Sequence, residues 1–230
     1  MALGADASAP TSWPSTLGLL GAPGSGKSAA AAHLARRGFL VIDADAAARA
    51  ALREPEVVAA VRERFAGTQP PVVDHADRID RAALGARVFA DPALRRWLER
   101  LVHPRVEAAR REARRGIDRD AHPLGVVEDC PLLLETGLDR ACDRLMMIDA
   151  SRGVRLARVA ARGWSATELE RRDAAQWPLA RKRAAADAVI VNEASLEALG
   201  AAIDEWLSEH WPPAADRAAD PGAGADRSGA

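Results

Sequence analysis

The chain has 230 residues, of which 48% are apolar and 28% charged, and its formal net charge is −1. These values are typical of a globular protein with one large core, and the near-neutral charge gives no global attraction to nucleic acid or to an anionic membrane. No stretch approaches about 18 uninterrupted apolar residues and no secretory signal is visible, so we expect no membrane span and a cytoplasmic location.

The two ends differ in composition from the rest of the chain. Residues 1–15 are small, polar and proline-containing, and residues 212–230 are rich in Ala, Gly, Asp and Pro. Segments with so few large apolar side chains bury little surface, so both are predicted to be disordered tails. One folded domain is predicted between them, over residues 16–211.

Short apolar runs alternate with helical patterns in the folded region. A helix is predicted over residues 28–37, where Gly38 is well placed to end it. Strands are predicted at residues 16–20, 39–42, 125–127, 145–148 and 188–191. This alternation predicts an α/β fold with a mostly parallel sheet that is flanked by helices on both faces.

Two longer helical stretches interrupt the alternation. Residues 56–116 are almost wholly helical in pattern and are too long for one crossover, so we interpret them as a helical insert that carries an acceptor site. Residues 152–183 are rich in arginine and are also helical in pattern, and they are predicted to form a lid.

The segment GAPGSGKS at residues 21–28 matches the phosphate-loop pattern G-x-x-x-x-G-K-[ST] and lies between a predicted strand and a predicted helix. Glycines let successive N–H groups point at phosphate oxygens, and the helix N-terminus adds partial positive charge. A dinucleotide-binding loop would show G-x-G-x-x-G instead, which leaves a chance glycine turn as the alternative. The residues predicted to bind the nucleotide are Gly21, Ala22, Pro23, Gly24, Ser25, Gly26, Lys27, Ser28 and Ala29.

Two residues of this loop have predicted roles of their own. The Lys27 ammonium can reach the β- and γ-phosphates of a nucleoside triphosphate, and the Ser28 hydroxyl can ligate Mg²⁺. The pattern therefore predicts ATP as co-substrate and Mg²⁺ as the metal.

Acidic residues follow two of the predicted strands. Asp43 and Asp45 come after the second strand, and a carboxylate there can accept the proton of an acceptor hydroxyl. The alternative is a solvated turn or a helix N-cap. Asp129 follows the third strand and is predicted to hold a Mg²⁺-bound water, with Glu128 able to replace it. For Asp129 the alternative is a surface turn before Pro131.

Six stretches, in this order, resemble the dephospho-coenzyme A kinase family. The resemblance extends from residue 17 to about residue 207. The six stretches are GAPGSGKS at 21–28, VIDADAAAR at 41–49, IDRAALGARVFADP at 79–92, LVHPRV at 101–106, EDCPLLLETGLD at 128–139 and AAQWPLARKRAAADAVIVN at 174–192.

The resemblance implies a P-loop NTPase-type kinase that transfers the γ-phosphate of ATP to the ribose 3′-hydroxyl of dephospho-CoA, the last step of coenzyme A synthesis. It implies a nucleotide-binding core, a helical acceptor region and a mobile lid. The partners it implies are these two small-molecule substrates, and no nucleic acid, membrane or obligate protein partner is expected.

The resemblance also assigns roles to individual residues. Asp45 matches the catalytic base, and Asp43 and Arg49 in the same motif are expected to bind substrate. His103 and Pro104 match a His-Pro element near the acceptor, with a helix-end or core histidine as the alternative. Two lid arginines, Arg162 and Arg172, are expected to neutralise charge during transfer, with a solvated helix face as the alternative.

Three positions depart from the family pattern. Ala29 and Leu20 stand where threonine is usual, and Leu134 stands where phenylalanine is commoner. The first change removes a hydroxyl that contacts the α-phosphate. None of them removes Lys27, Ser28 or Asp45.

Two other functions are compatible with the phosphate loop. One is a P-loop kinase that acts on a nucleoside monophosphate or another small alcohol. The other is a nucleotide-binding switch, but a guanine-specific switch would carry Asn-Lys-x-Asp, whereas the strand end Val191-Asn192-Glu193 lacks the lysine and the aspartate.

Overall fold

The computed structural model describes residues 15–116 and 123–211. The predicted tails therefore lie outside the described residues, except for Ser15. The chain divides into two compact units, of which one comprises Met1–Ile42 with Arg119–Ala230 and the other Asp43–Asp118.

The first unit contains the sheet, except for the last residue of β2. Its strands are β1 (Thr16–Gly21), β2 (Leu40–Asp43, whose last residue begins the second unit), β3 (Val126–Asp129), β4 (Arg144–Asp149) and β5 (Ala188–Val191). The second unit contains α2 (Ala44–Ala51), α3 (Pro55–Arg64), α4 (Arg81–Ala90) and α5 (Pro92–Arg115). The first unit contains α1 (Lys27–Arg36), α6 (Arg152–Ala160), α7 (Ala166–Ala174), α8 (Leu179–Ala185), α9 (Leu196–His210) and a short 3-10 helix (Leu138–Ala141).

The strands form one five-stranded sheet in the order β2-β3-β1-β4-β5. The pairs β1–β3, β1–β4 and β4–β5 are parallel, so the carboxyl end of β1 lies between the carboxyl ends of β3 and β4. In such sheets a crevice for ligands opens beyond these strand ends.

The two faces of β1 carry different side chains, because successive residues of a strand point in opposite directions. Leu17 and Leu19 are fully buried in a core shared with α1 and α9. Gly18 between them faces Leu133 and Leu145, and a Cβ there would lie only 2.6 Å from the Leu145 side chain. Glycine at this position therefore allows close packing on the second face of the sheet.

Helix α9 closes the core on the first face. It begins at an N-cap in which the Ser195 hydroxyl accepts a hydrogen bond from the Ala198 N–H. Its apolar side, with Leu199, Ile203 and Trp206, is buried in the same core as Leu17. Beyond its end, the Trp211 indole donates to the Leu124 carbonyl at 2.9 Å.

The second unit is a helical assembly with its own core. Helices α2 and α4 both pack on α5. The buried residues of this core are Val57, Val61, Phe65, Val72 and Leu84. Phe65 meets Trp97 edge-on at a centroid distance of 6.0 Å. Asp80 and Asp91 cap the N-termini of α4 and α5 by accepting backbone hydrogen bonds.

The α/β fold class predicted from the sequence is confirmed. Strand β5 has the predicted bounds, and the ends of the other four strands lie within two residues of those predicted. In the part of the chain that the structure describes, no helix combines the length and the apolar character that crossing a membrane requires.

Two leucines of α9 give a test of this packing. Leu199 is 3% exposed and Leu196 is 66% exposed, so the same substitution should have different effects three residues apart. We expect Leu199→Ala to lower the free energy of unfolding by about 2–5 kcal/mol, because it leaves a cavity. Leu196→Ala should change it by less than about 0.5 kcal/mol. Urea unfolding followed by circular dichroism measures both, and equal losses would contradict the packing of α9.

Candidate active site

The segment between β1 and α1 is a tight backbone loop. Gly24 and Gly26 have φ angles of +81° and +102°, in the left-handed region that favours glycine. Among the residues that the structure describes, none accepts a hydrogen bond from the backbone N–H groups of Gly26, Lys27 or Ser28. Three consecutive donors at the N-terminus of α1 are thus available to an anion.

Ser25 shows that the loop suits a phosphate group. Its backbone N–H donates to the Ala22 carbonyl at 3.0 Å, which closes the turn. Its hydroxyl is buried and has no hydrogen-bond partner within the described residues, and a Cβ at Gly21 would lie 2.6 Å from it. A buried hydroxyl without a partner is costly, and a phosphate oxygen is a suitable acceptor for it.

Lys27, the first residue of α1, forms an ion pair with Asp129. The Lys27 ammonium donates to the Asp129 carboxylate, and their side chains are 13% and 11% exposed. Asp129 is the last residue of β3, which pairs with β1, so the sheet register places it beside the loop. A bound triphosphate would compete with Asp129 for the lysine.

Oxygen ligands for Mg²⁺ are present at the same sheet edge. Ser28 has an exposed side chain in the first turn of α1, and Asp129 supplies a carboxylate at the end of β3. Mg²⁺ prefers such oxygens and usually takes its remaining ligands from water and substrate phosphates. Residues 15–116 and 123–211 hold no group of three or more His, Cys, Asp or Glu that would make a closed metal site.

Two arginines of α6 donate hydrogen bonds to backbone carbonyls of the loop. The Arg155 guanidinium is almost fully buried and makes a bidentate ion pair with Asp173 of α7, at 2.8 and 2.9 Å. It also donates to the Pro23 carbonyl at 3.3 Å. Arg158 donates to the Ser25 carbonyl at 3.3 Å. Neither residue is among those predicted from the sequence, although their spacing of three places them on one face of a helix.

A third missed residue, Asn192, follows β5. It is 2% exposed, and its side-chain amide donates to the Ser25 carbonyl at 2.8 Å. In the sequence this position served only to exclude a guanine-specific switch. No local pattern predicts the contact, because the two residues are 167 positions apart.

The other lysine of the chain is buried. Lys182 of α8 is 1% exposed, and its ammonium donates to the Gln176 side chain at 2.7 Å and to the Pro131 carbonyl at 3.2 Å. The Glu135 carboxylate lies 3.5 Å from it. Burial lowers the pKa of Lys182 from its ordinary value, and the nearby Glu135 opposes that shift.

The two predicted lid arginines lie on the first unit and are exposed. Arg162 is in the turn after α6, and Arg172 is near the end of α7. The Arg172 guanidinium lies 4.0 Å from the centre of the Trp164 ring and donates to Glu168 at 2.7 Å. Hydrogen bonds from Arg171 and Arg172 lower the pKa of Glu168 to about 2.

Asp43, Asp45 and Arg49 belong to the second unit. Asp43 is the N-cap of α2 and accepts a hydrogen bond from the Ala46 N–H at 2.8 Å, which is the alternative that the sequence left open. Arg49 lies 3.4 Å from the Asp43 carboxylate. Asp45 is in the first turn of α2 and its side chain is exposed.

His103 and Pro104 also belong to the second unit, within the long helix α5. Both are exposed, and Pro104 is an internal proline of the helix. A proline there has no N–H to donate to the preceding turn, so it lowers the stability of the helix. The structure thus groups residues 21–28 with Asp129 in the first unit, and the predicted acceptor residues in the second.

Pro23, Ser25 and Ala29 are predicted loop residues that give no free backbone donor to a phosphate, and for Ser25 the reason is its bond to the Ala22 carbonyl. Pro23 has no N–H, and the Ala29 N–H already donates to the Gly26 carbonyl at 2.9 Å. Ala29 packs instead against the core beneath the sheet.

The phosphate-binding loop follows the central strand of a parallel sheet, and it contains a lysine and lies beside an acidic residue at the end of the neighbouring strand. These features define the class of P-loop kinases and related nucleotide phosphatases. The sequence model of the dephospho-CoA kinase family matches residues 15–198. The dephospho-CoA kinases of Deinococcus radiodurans and Anaeromyxobacter dehalogenans are each 42% identical to this chain; the alignments cover 85% and 84% of it, and 92% and 90% of the relatives. The chain belongs to the dephospho-CoA kinase family.

Solved structures share the fold of this chain. The crystal structure of TT1252 from Thermus thermophilus is 34% identical, with a TM-score of 0.75 over 86% of this chain and 99% of that one. A dephospho-CoA kinase from Campylobacter jejuni, 23% identical, shares the fold with a TM-score of 0.61 over 85% of this chain and 96% of that one. The predictions of the family and of an ATP-dependent, Mg²⁺-requiring kinase are confirmed.

The buried Lys182 predicts a pH dependence of stability. The pKa of Lys182 is lower in the folded state than in the unfolded state. Just below the ordinary lysine pKa of about 10.4, the unfolded state therefore binds more protons than the folded state. The free energy of unfolding consequently rises with pH in that range. Lys182→Met removes this titration. We expect the free energy of unfolding of the wild type, relative to the variant, to increase as the pH is raised towards about 10.4. The chain has no tyrosine and one other lysine, which limits competing titrations. Parallel profiles of the two proteins would contradict the assignment.

Proposed function

We propose that this chain transfers the γ-phosphate of ATP to the ribose 3′-hydroxyl of dephospho-CoA, giving CoA and ADP as the last step of coenzyme A synthesis. The observation that carries the proposal is the set of three backbone donors at residues 26–28, beside Lys27, in a chain of this family. In the reaction a bond forms between the 3′-oxygen and the γ-phosphorus, the bond to the β-phosphate bridging oxygen breaks, and the hydroxyl proton is removed.

The loop and Lys27 hold the triphosphate in this proposal. The N–H groups of Gly26, Lys27 and Ser28 donate to phosphate oxygens, and the Lys27 ammonium moves from Asp129 to the β- and γ-phosphates. Ser28 and, through water, Asp129 are the residues that hold Mg²⁺. The metal, when bound, neutralises charge that develops on the phosphate oxygens.

Asp45 is the proposed base. It lies two residues after the strand end at Asp43, its side chain is exposed, and it matches the family's base. Its carboxylate is proposed to accept the proton of the acceptor hydroxyl. Asp43 and Arg49, together with His103 and Pro104 of α5, are proposed to bind dephospho-CoA.

Arg162 and Arg172 are proposed to supply charge during transfer. Both are exposed on or next to the helices of residues 152–183, which we propose as the lid. Arg172 would exchange its Glu168 partner for phosphate oxygens, while Trp164 supports its guanidinium. Closure of such a lid excludes water from the γ-phosphate and limits wasteful hydrolysis of ATP.

The partners in this proposal are ATP and dephospho-CoA, with no nucleic acid, membrane or obligate protein partner, and the proposed location is the cytoplasm. The test is a coupled ATP assay on the purified protein with dephospho-CoA, AMP, CMP and shikimate as acceptors, with mass confirmation of the product. Activity on dephospho-CoA alone supports the proposal, whereas activity on a nucleoside monophosphate would replace it with the broader kinase function.

The lysine of the loop gives the first variant. Lys27→Ala should reduce turnover with dephospho-CoA by at least about a hundredfold, because it removes a cation from the γ-phosphate. Arg36→Ala, on the exposed side of α1, is the control and should retain wild-type turnover. Substantial activity of Lys27→Ala would show that the loop does not stabilise the transferred group.

Asp45 gives the second variant. Asp45→Asn keeps the size of the side chain but cannot take a proton, so ATP binding should persist while kcat falls by about 10²–10⁴. Asp43→Asn is the matched comparison, since asparagine caps helices as well as aspartate does. It should raise KM for dephospho-CoA more than it lowers kcat. A near-wild-type kcat for Asp45→Asn would remove Asp45 from the mechanism.

A further inference from the structure

Asn192 occupies a fixed position at the end of β5. Its backbone N–H donates to the Asp149 carbonyl at 2.7 Å, which continues the parallel pairing of β4 with β5 by one residue. The residue is 2% exposed. Its side chain therefore projects from a main chain that the sheet holds in place.

Both polar atoms of the Asn192 amide are hydrogen-bonded, and one of the partners is the phosphate loop. Its Nδ2 donates to the Ser25 carbonyl at 2.8 Å, and its Oδ1 accepts from Arg158 at 3.3 Å. Arg158 also donates to the Ser25 carbonyl at 3.3 Å, so the three groups form a closed set of hydrogen bonds. This arrangement gives the buried Ser25 carbonyl the donors that it needs.

The Ser25 carbonyl is one half of a rigid unit. In a trans peptide the C=O of one residue and the N–H of the next lie in one plane and point in opposite directions. Donors that fix the Ser25 carbonyl on the outer side of the loop thus fix the Gly26 N–H on the inner side. That N–H has no acceptor among the described residues, as a phosphate-binding donor requires.

The packing of Gly26 gives independent support. A Cβ at Gly26 would lie 2.1 Å from the Asn192 Nδ2, which is far inside contact distance. The amide therefore fills the space that a side chain at Gly26 would take. Glycine is needed here for the approach of Asn192 as well as for its φ of +102°.

We propose that Asn192 is a positioning residue of the phosphate loop, which fixes the Ser25–Gly26 peptide unit so that the Gly26 N–H points at the triphosphate before ATP arrives. The proposal rests on the proposed function only in taking ATP as the ligand. Because a preset loop binds ATP equally in the ground state and the transition state, loss of Asn192 should act on KM for ATP more than on kcat.

Two variants of similar size separate the hydrogen bond from other effects. Asn192→Asp and Asn192→Leu both lack the donor, and only the first adds negative charge. We expect both to bind ATP about tenfold more weakly by titration calorimetry, and to raise KM for ATP with little change in KM for dephospho-CoA. Unchanged ATP affinity in a folded Asn192→Leu protein would overturn the proposal, as would a loss confined to Asn192→Asp, since charge repulsion would then explain it.

Asp187→Ala is the matched control at the other end of β5. The Asp187 carboxylate accepts a hydrogen bond from the Leu145 N–H at 2.7 Å, just before the first residue of β5, so its loss should lower the melting temperature without changing ATP affinity. Equal weakening of ATP binding by this control would assign the effect to general damage of the strand. ATP affinity is measured without an acceptor, so the result does not depend on whether dephospho-CoA is the substrate.

The wild-type protein offers a test that needs no variant. Asn192 is the only asparagine of the sequence, so labelling asparagine side chains with ¹⁵N gives one pair of amide signals in an NMR spectrum. In protein without nucleotide, we expect one of the two protons to exchange slowly with solvent, because it is bonded to the buried Ser25 carbonyl. Rapid exchange of both protons would show that the loop is not preset by this residue.

Discussion

The direction of the peptide groups in one loop is the constraint on which the rest of this site depends. N–H groups can gather round a phosphate only if the carbonyls of the same peptide units point outward, and outward carbonyls that are buried need donors of their own. Here the donors come from Arg155, Arg158 and Asn192. Helix α6 follows β4 and Asn192 follows β5, so the strand order on one side of β1 brings them to the loop.

The other side of β1 has a different part in the site. Its neighbour there is β3, whose last residue, Asp129, meets the Lys27 ammonium. One side of the sheet thus fixes the backbone of the loop, and the other places the charges that a metal and a phosphate chain require. The central position of β1 makes both possible, because a strand at the edge would have a neighbour on one side only.

The sequence predicts the parts of this site whose causes are local. The loop pattern and the strand and helix beside it need only adjacent residues, and β5 is marked by a short apolar run between polar neighbours. Asp43 shows the limit of prediction from local sequence, because a helix cap and a substrate ligand have the same local pattern. Arg158 and Asn192 were missed because their partner lies more than a hundred positions away, and one arginine does not stand out in an arginine-rich chain. Lys182 lies in the charged run Arg-Lys-Arg, which suggests exposure, yet it is buried.

The tight packing at Gly24 has a consequence for protein engineering. A Cβ at Gly24 would lie 2.8 Å from the Arg155 carbonyl oxygen and 3.0 Å from the Val159 side chain, so α6 packs closely against the loop. Residues 21–28 are therefore not sufficient by themselves to form a phosphate-binding loop in another protein. A copy of the loop grafted onto another protein would need a helix that packs on it as α6 does and a side-chain amide that bonds to it as Asn192 does. Without them, its peptide groups would be free to rotate away from the anion.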